Sequence, residues 1–330
     1  MLVLWVCALP ARSARAGDMD PELTRLTQAA GSGSCPASGL ASVCPDNASF
    51  ELLAMELAGA LAPTVRTGAA TGGTRGFYIG LSSTASTIRS GQRYWARGTR
   101  GADPTAAQND SVDSLLSFHR VDVRKGLPFG FEVGSSVGFG LHTSLWVIAA
   151  ELKLALFEGF RSGLGALPEV ALRAVTQAVM GSPQLSLQTQ AFDITLSKPL
   201  VVHQEHTLTP LMALQLVFLR AQSSAVDFTP QQSAWAQCAP GLTTAVGATP
   251  MCMDERGDRE LGNVASFRDV SRARVRMFLG AEERYRLLSI ALTVGFDLIT
   301  PAVPQEAQGA SLPEALLRQF SLQLAGGLRY

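Results

Sequence analysis

Beyond its first sixteen residues the chain has no uninterrupted apolar run of the ~18 residues that read as a membrane-crossing helix. The longest apolar stretches are broken by Glu56, by Glu151 with Lys153, and by Gln215. Any passage through a membrane must therefore be made by strands closed into a ring, which leaves no backbone polar group unpaired in lipid. Charge is scarce too: Asp, Glu, Lys and Arg make up 16% of 330 residues, against roughly 25% in ordinary soluble domains. The formal net charge is zero, which argues against a phosphate-seeking basic face and so against a nucleic-acid partner. Cysteine is limited to 5 residues with no Cys-x-x-Cys spacing, and histidine to 4. No phosphate loop or dinucleotide fingerprint occurs, so no cofactor is implied.

What the chain has instead is alternation. Phe129, Phe131, Val133, Val137 and Phe139 share one parity, while Gly130, Glu132, Gly134, Ser136, Gly138 and Gly140 share the other. Trp146, Ile148, Ala150, Leu152, Leu154 and Leu156 then alternate with a set that includes Glu151 and Lys153. A period of two marks a strand with two unlike faces, one suited to hydrocarbon and one to water. Similar segments recur at about 74–84, 114–124, 168–180, 185–197, 207–221, 267–281, 285–298 and 316–330. Most meet the ~9–11 residues that a tilted barrel strand needs. The predicted fold is all-β, a transmembrane antiparallel up-and-down barrel of about ten strands (range about 8–12) over residues 74–330. If the first strand runs outward, the connections 85–114, 222–265 and 299–315 lie outside.

Residues 1–16 read as a secretory signal, with an apolar run from Leu2 to Leu9 and a small-residue cleavage pattern at Ala14, Arg15 and Ala16, though without the usual basic start. Export leaves Cys35, Cys44, Cys238 and Cys252, an even number. Of the three possible pairings, Cys35 with Cys44 and Cys238 with Cys252 is favoured because each closes a short loop. Zinc is the weaker alternative, since no histidine lies near either pair. Within residues 17–73, Phe50, Leu53, Leu57, Ala60 and Leu61 recur at helical spacing ahead of Pro63, which predicts a helix over 48–62. Two places suit it equally: the lumen, as a plug, or the periplasm against the barrel mouth.

The charged residues of the strands follow the inward parity. Arg120, Asp122 and Arg124 oppose Val121 and Val123. A two-residue turn at His142 and Thr143 would set Glu132 across from Lys153, and with Glu151 these form a charged layer in the periplasmic half. Arg173 is assigned inward on the fifth strand. Arg272, Arg274 and Arg276 oppose Ala273, Val275 and Met277; on the lipid side at mid-membrane each would cost about 2–4 kcal/mol, so the row points inward or sits near the rim. Two readings of these charges stay open: a constriction that selects solutes, or a salt-bridge ladder that satisfies a narrow interior.

The carboxyl terminus adds a family resemblance. Phe320, Leu322, Leu324, Leu328 and Tyr330 alternate with Gln319, Ser321, Gln323 and Arg329, and the chain ends on an aromatic residue. In this it resembles the Gram-negative outer-membrane β-barrel family, porin-like in architecture. The resemblance implies a bacterial outer-membrane location among lipid and lipopolysaccharide, and an insertion signal at Phe320, Leu328 and Tyr330 read by the barrel-insertion machinery. The family's usual glycine in this strand is displaced, with Ala325 in its place followed by Gly326 and Gly327. The run from Lys125 to Glu132 is similar to a recurrent element of uncharacterised barrels of this kind.

His203, Glu205 and His206 form a polar cluster in a predicted periplasmic turn, short of the third ligand that a metal needs. His119 shares the parity of Val121 and faces out or marks a bulge. At the outer rim only His142 is available for hydrolysis, and no carboxylate adjoins it in sequence, so the chain reads as non-enzymatic. The expected function is a passive pore for small polar or anionic solutes. Two alternatives stand beside it: a closed barrel that works through its large outer loop, and a plugged uptake channel for apolar molecules.

Overall fold

The computed structural model describes residues 17–29, 31, 35, 43–103, 105–157, 167–203, 205–230, 263–301 and 318–330. The predicted signal and the Cys238–Cys252 pair lie outside the described residues. Ten long strands form the wall: β1 (Phe77–Thr87), β2 (Leu115–Gly126), β3 (Phe131–Gly140), β4 (Trp146–Phe157), β5 (Glu169–Met180), β6 (Leu185–Ser197), β7 (His206–Ser223), β8 (Val270–Tyr285), β9 (Leu288–Ile299) and β10 (Phe320–Arg329). Each pairs antiparallel with its successor, and β10 pairs with β1 from Ser321 opposite Ser86 to Arg329 opposite Tyr78, which closes the ring. Closure leaves the wall no exposed edge.

Outward positions are apolar and bare. Leu81 is 65% exposed, Leu292 52% and Leu324 56%, values that a soluble protein would avoid over so continuous a surface. Inward positions are buried and polar, as with Ser82, Thr84, Asp193, Thr195, Gln215 and Thr293. The wall is thus inverted relative to a soluble sheet sandwich: grease outside, hydrogen bonds within. His119 lies on the outer face, its ring 5.5 Å from that of Phe139.

Boundaries shift where the backbone turns. Phe129 and Gly130 have φ of 63° and 78°, so the third strand starts at Phe131 and not at Phe129, where the alternation begins; Phe129 projects from a tight turn. The β8–β9 hairpin turns at Arg286, whose φ is 53°, which lengthens β8 past its expected end. Glu132 stands opposite Lys153, and Phe139 opposite Trp146, the register expected of a turn at 142–143.

Two minor antiparallel pairs lie outside the wall, Thr27–Ala29 with Val43–Pro45 and Val226–Asp227 with Val264–Ala265. Leu200–His203 adds a short ribbon to β7. The helix α1 (Asn47–Leu61) starts at Asp46, whose side chain accepts from Ser49 N. A second helix, α2 (Arg93–Gly98), lies in the β1–β2 connection. The largest hydrophobic core joins α1 (Phe50, Leu53, Leu57) to Trp95, to Phe118 of the wall and to Phe267. It sits at the end of the barrel that carries the longer connections.

Candidate functional site

The lumen is the place where the chain brings its charges together, and the N-terminal segment fills it. Twelve of the fifteen residues of α1 are buried. From Leu52 to Leu61 the helix is buried on every side and, Glu56 apart, apolar all round, as an enclosed helix tends to be, and it touches β1, β6, β7 and β8. Gly59 lets it approach the wall: a Cβ there would lie 1.9 Å from Arg274 Nη1. Pro63 prevents the helix from continuing, and its last carbonyls are capped by the wall. Arg120 Nη2 donates to Leu61 O at 2.6 Å, Gln177 Nε2 to the same oxygen at 2.8 Å, and Ser86 Oγ to Ala60 O at 3.2 Å. These carbonyls form the negative end of the helix dipole, where a guanidinium is favourable.

From Ala62 to Gly72 an extended strap continues along the lumen, and most of the charged positions picked out on strands hold it. Arg173 Nη2 donates to Thr64 O at 3.0 Å, and Arg124 Nη1 to Thr67 Oγ1 at 2.8 Å. Lys153 Nζ donates to Gly68 O at 2.7 Å and Ala70 O at 2.9 Å, while Glu132 Oε2 accepts from Gly72 N at 3.1 Å. Arg66 of the strap is ion-paired with Asp122 and, at 3.1 Å, with Glu151; Glu151 also meets Arg124 at 3.1 Å and Arg173 at 3.3 Å. A cavity of about 10 Å³ lies between strap and wall here, bordered by Val65, Arg66, Thr67 and Glu151, room for at most one water.

Of the three arginines on β8, Arg274 and Arg276 are buried in the lumen and share Asp297, at 3.1 and 3.4 Å; Arg274 Nη2 also donates to Met55 O at 3.1 Å. Arg272 departs from the expected row. Its side chain is 42% exposed and ion-paired with Glu51, because β8 begins at Val270 and Arg272 is still at the rim. Phe320, Leu328 and Tyr330 all face outward.

Sequence reading passed over the partners. Arg66 stands alone in an apolar and polar run and carries no local signal, whereas Asp193, Asp297 and Glu282 share the inward parity of their strands and were legible on that ground. Gly134 to Gly138 also has the Gly-x-Ser-x-Gly spacing of a hydrolase motif. It lies within the straight strand β3, without the strand-to-helix turn that lifts a nucleophile.

At the longer-loop end the chain is tied into a cap. Glu56 Oε2 accepts from Tyr94 Oη and Trp95 Nε1, both at 2.6 Å, and Glu56 Oε1 from Arg89 N at 2.9 Å. Burial, and after it the Glu56 carboxylate, push the Tyr94 phenol well above its ordinary pKa. Cys35 and Cys44 are disulfide-bonded, as the spacing predicted. His142 Nδ1 lies 2.8 Å from Asp113 Oδ2; this hydrogen bond and charge raise the imidazole pKa. A raised value means that the protonated pair contributes fully below the unfolded imidazole's ordinary value of about 6.5 and is lost as pH rises through the folded value. An NMR titration is expected to place the His142 midpoint above that of free imidazole, and Asp113→Asn to bring it back. At the other end His206 meets Glu283 at 3.2 Å, and Glu205 forms a two-pronged pair with Arg286. Among the described residues no group of three or more His, Cys, Asp or Glu is placed to hold a metal.

A closed antiparallel wall with an apolar belt around a polar interior has one environment that suits it. The fold is that of an outer-membrane β-barrel. No family model matches the chain, and no curated protein matches it. Among solved structures it is similar to Ail, the attachment invasion locus protein of Yersinia pestis, at 8% identity over 78% of this chain and 99% of that one, with a TM-score of 0.26. It is also similar to the translocator domain of the autotransporter NalP from Neisseria meningitidis, at 8% identity over 77% and 88%, with a TM-score of 0.28.

Proposed function

We propose that this protein is a closed barrel of the bacterial outer membrane that acts through its outer face and not as a passive pore. The observation that carries this reading is the occupied lumen: helix, strap and inward charges interlock across the interior of the wall. The orientation follows from the connections. The three longest, 88–114, 224–269 and 300–319, leave the same end of the wall as the cap, while those at 127–130, 158–168, 198–205 and 286–287, none longer than eleven residues, leave the other; outer-membrane barrels keep their shorter connections in the periplasm. The inward charges then act as the fastening of a plug.

Uptake of apolar molecules is disfavoured by a recess in the short-turn mouth. It measures about 410 Å³ and is lined by Glu169, Lys198, Glu282, Arg284 and Arg329, side chains that an apolar solute would have to desolvate. The test is single-channel recording of the full chain in planar bilayers. Silence at moderate voltage is expected, and a steady conductance in every insertion would sink the reading.

A further inference from the structure

The wall begins and ends at one end of the barrel. Phe77 N donates to Tyr330 O at 3.1 Å and Tyr330 N to Phe77 O at 2.9 Å, as an even number of strands requires. The N-terminal residues are not at that end. Followed backward from Phe77, the chain passes Lys125 Nζ on Thr74 O, then Glu132 at Gly72, Lys153 at Gly68, Arg66 among its carboxylates, and Arg120 at Leu61. It emerges against the connections at the opposite end. There Met19 N donates to His142 O at 2.9 Å, Glu22 N to Gly98 O at 2.9 Å, Leu23 N to Gln184 Oε1 at 2.7 Å, and Asn47 Oδ1 accepts from Arg268 N at 2.7 Å. These contacts come from four different inter-strand connections, so the exit is fixed all round and not by one loop.

The distance is sufficient. Fifteen residues of α1 rise ~22 Å, and the strap adds ~3.3 Å per residue; together they exceed the ~30 Å of a bilayer's hydrocarbon. We propose that the barrel carries its own N-terminal segment across the outer membrane: residues 17–29 and 43–46, with the Cys35–Cys44 disulfide, stand on the outer surface, while Tyr330 stands on the periplasmic side. The inference rests on the orientation given above, and it adds to that reading an activity, presentation of the segment ahead of α1 on the outer surface. The anchoring explains why the inward cations bind strap carbonyls: a polypeptide that crosses a membrane without secondary structure of its own needs partners for its backbone groups at every level.

Three single-cysteine reporters in the full chain test it: Asp18→Cys in the exposed part of the cap, Gly91→Cys in the β1–β2 connection where a side chain meets open space, and Val201→Cys, 76% exposed at the opposite end. Cells are treated with a maleimide-polyethylene glycol too large to cross the outer membrane, before and after permeabilisation, with the unchanged chain as background. Asp18→Cys and Gly91→Cys are expected to label equally in both conditions, and Val201→Cys to gain at least about tenfold on permeabilisation. If Asp18→Cys follows Val201→Cys while Gly91→Cys labels on intact cells, the inference is overturned and the closed-lumen reading is untouched. If Val201→Cys alone labels on intact cells, the orientation is reversed and the inference fails with it. An antibody against residues 17–31, applied to cells that make the unaltered chain, answers the same question without any substitution: binding to intact cells supports it, and binding only after permeabilisation overturns it.

Discussion

A Glu56→Leu chain is expected to lose about 3–5 kcal/mol of stability, because it leaves two buried donors and one half-buried donor without an acceptor, at roughly 1–3 kcal/mol for each buried one and with incomplete additivity. Tyr94 Oη, Trp95 Nε1 and Arg89 N all converge on this carboxylate, and no other carboxylate of α1 reaches them. The damage is local in origin. Helix α2 and the 88–114 connection lose their attachment to α1, so Trp95, 1% exposed in the native protein, is expected to shift its emission to longer wavelength. Trp146 on the apolar belt keeps its lipid environment and serves as the internal reference. Glu56→Gln retains one acceptor oxygen and is expected to lose less than half as much, and Tyr94→Phe placed on Glu56→Leu removes one orphaned donor and restores part of the loss. Urea titration in detergent micelles measures all four chains. A Glu56→Leu chain within about 1 kcal/mol of the parent would mean that water, not protein, satisfies these groups.

The wall was legible because its logic is strictly local: parity within ten residues decides which side chain meets lipid, and Trp146 to Leu156 or Leu208 to Phe218 state it without help from the rest of the chain. The strand ends were less legible, since Phe129 and Arg286 give no warning in sequence that their backbones turn left-handed. Inward charges were found by the same parity, but their role was not. A cation on the inner face of a barrel looks the same whether it meets a solute, a carboxylate or a peptide carbonyl, and for Lys153 and Arg173 the answer depends on residues some 85 to 110 positions away. The helix was found, but not its place. Its apolar residues at 50, 53, 57, 60 and 61 suggested one greasy face, whereas Leu52, Met55 and Ala58 are buried too; a helix enclosed on all sides was written in those positions and pointed to the lumen. Arg66 was invisible because its partners belong to β2 and β4.

Arg66 is also where the closure is most exposed to attack, and Arg66→Ala is expected to have the second large effect. Removing one partner of a buried ion pair typically costs about 3–5 kcal/mol, since the surviving charge keeps its desolvation penalty. Here the survivors differ. Glu151 retains Arg124 and Arg173, but Asp122 is left with the Ser82 hydroxyl at 3.2 Å as its side-chain partner. The strap also loses its only charged side chain, which borders the cavity of about 10 Å³, so the truncation is expected to open a water-sized path between Asp122 and Glu151. Brief, cation-preferring openings are therefore expected in planar bilayers where the parent is silent, the preference arising from the unpaired Asp122. Arg66→Lys keeps the charge but not the fork that spans two carboxylates, and is expected to fall between the two in stability with few openings. Asp122→Asn placed on Arg66→Ala neutralises the orphaned carboxylate; it should recover stability and abolish the cation preference while the openings persist. An Arg66→Ala chain that is both as stable and as silent as the parent would assign the closure to α1 and its carbonyl caps at Arg120 and Gln177, with the strap along for the ride.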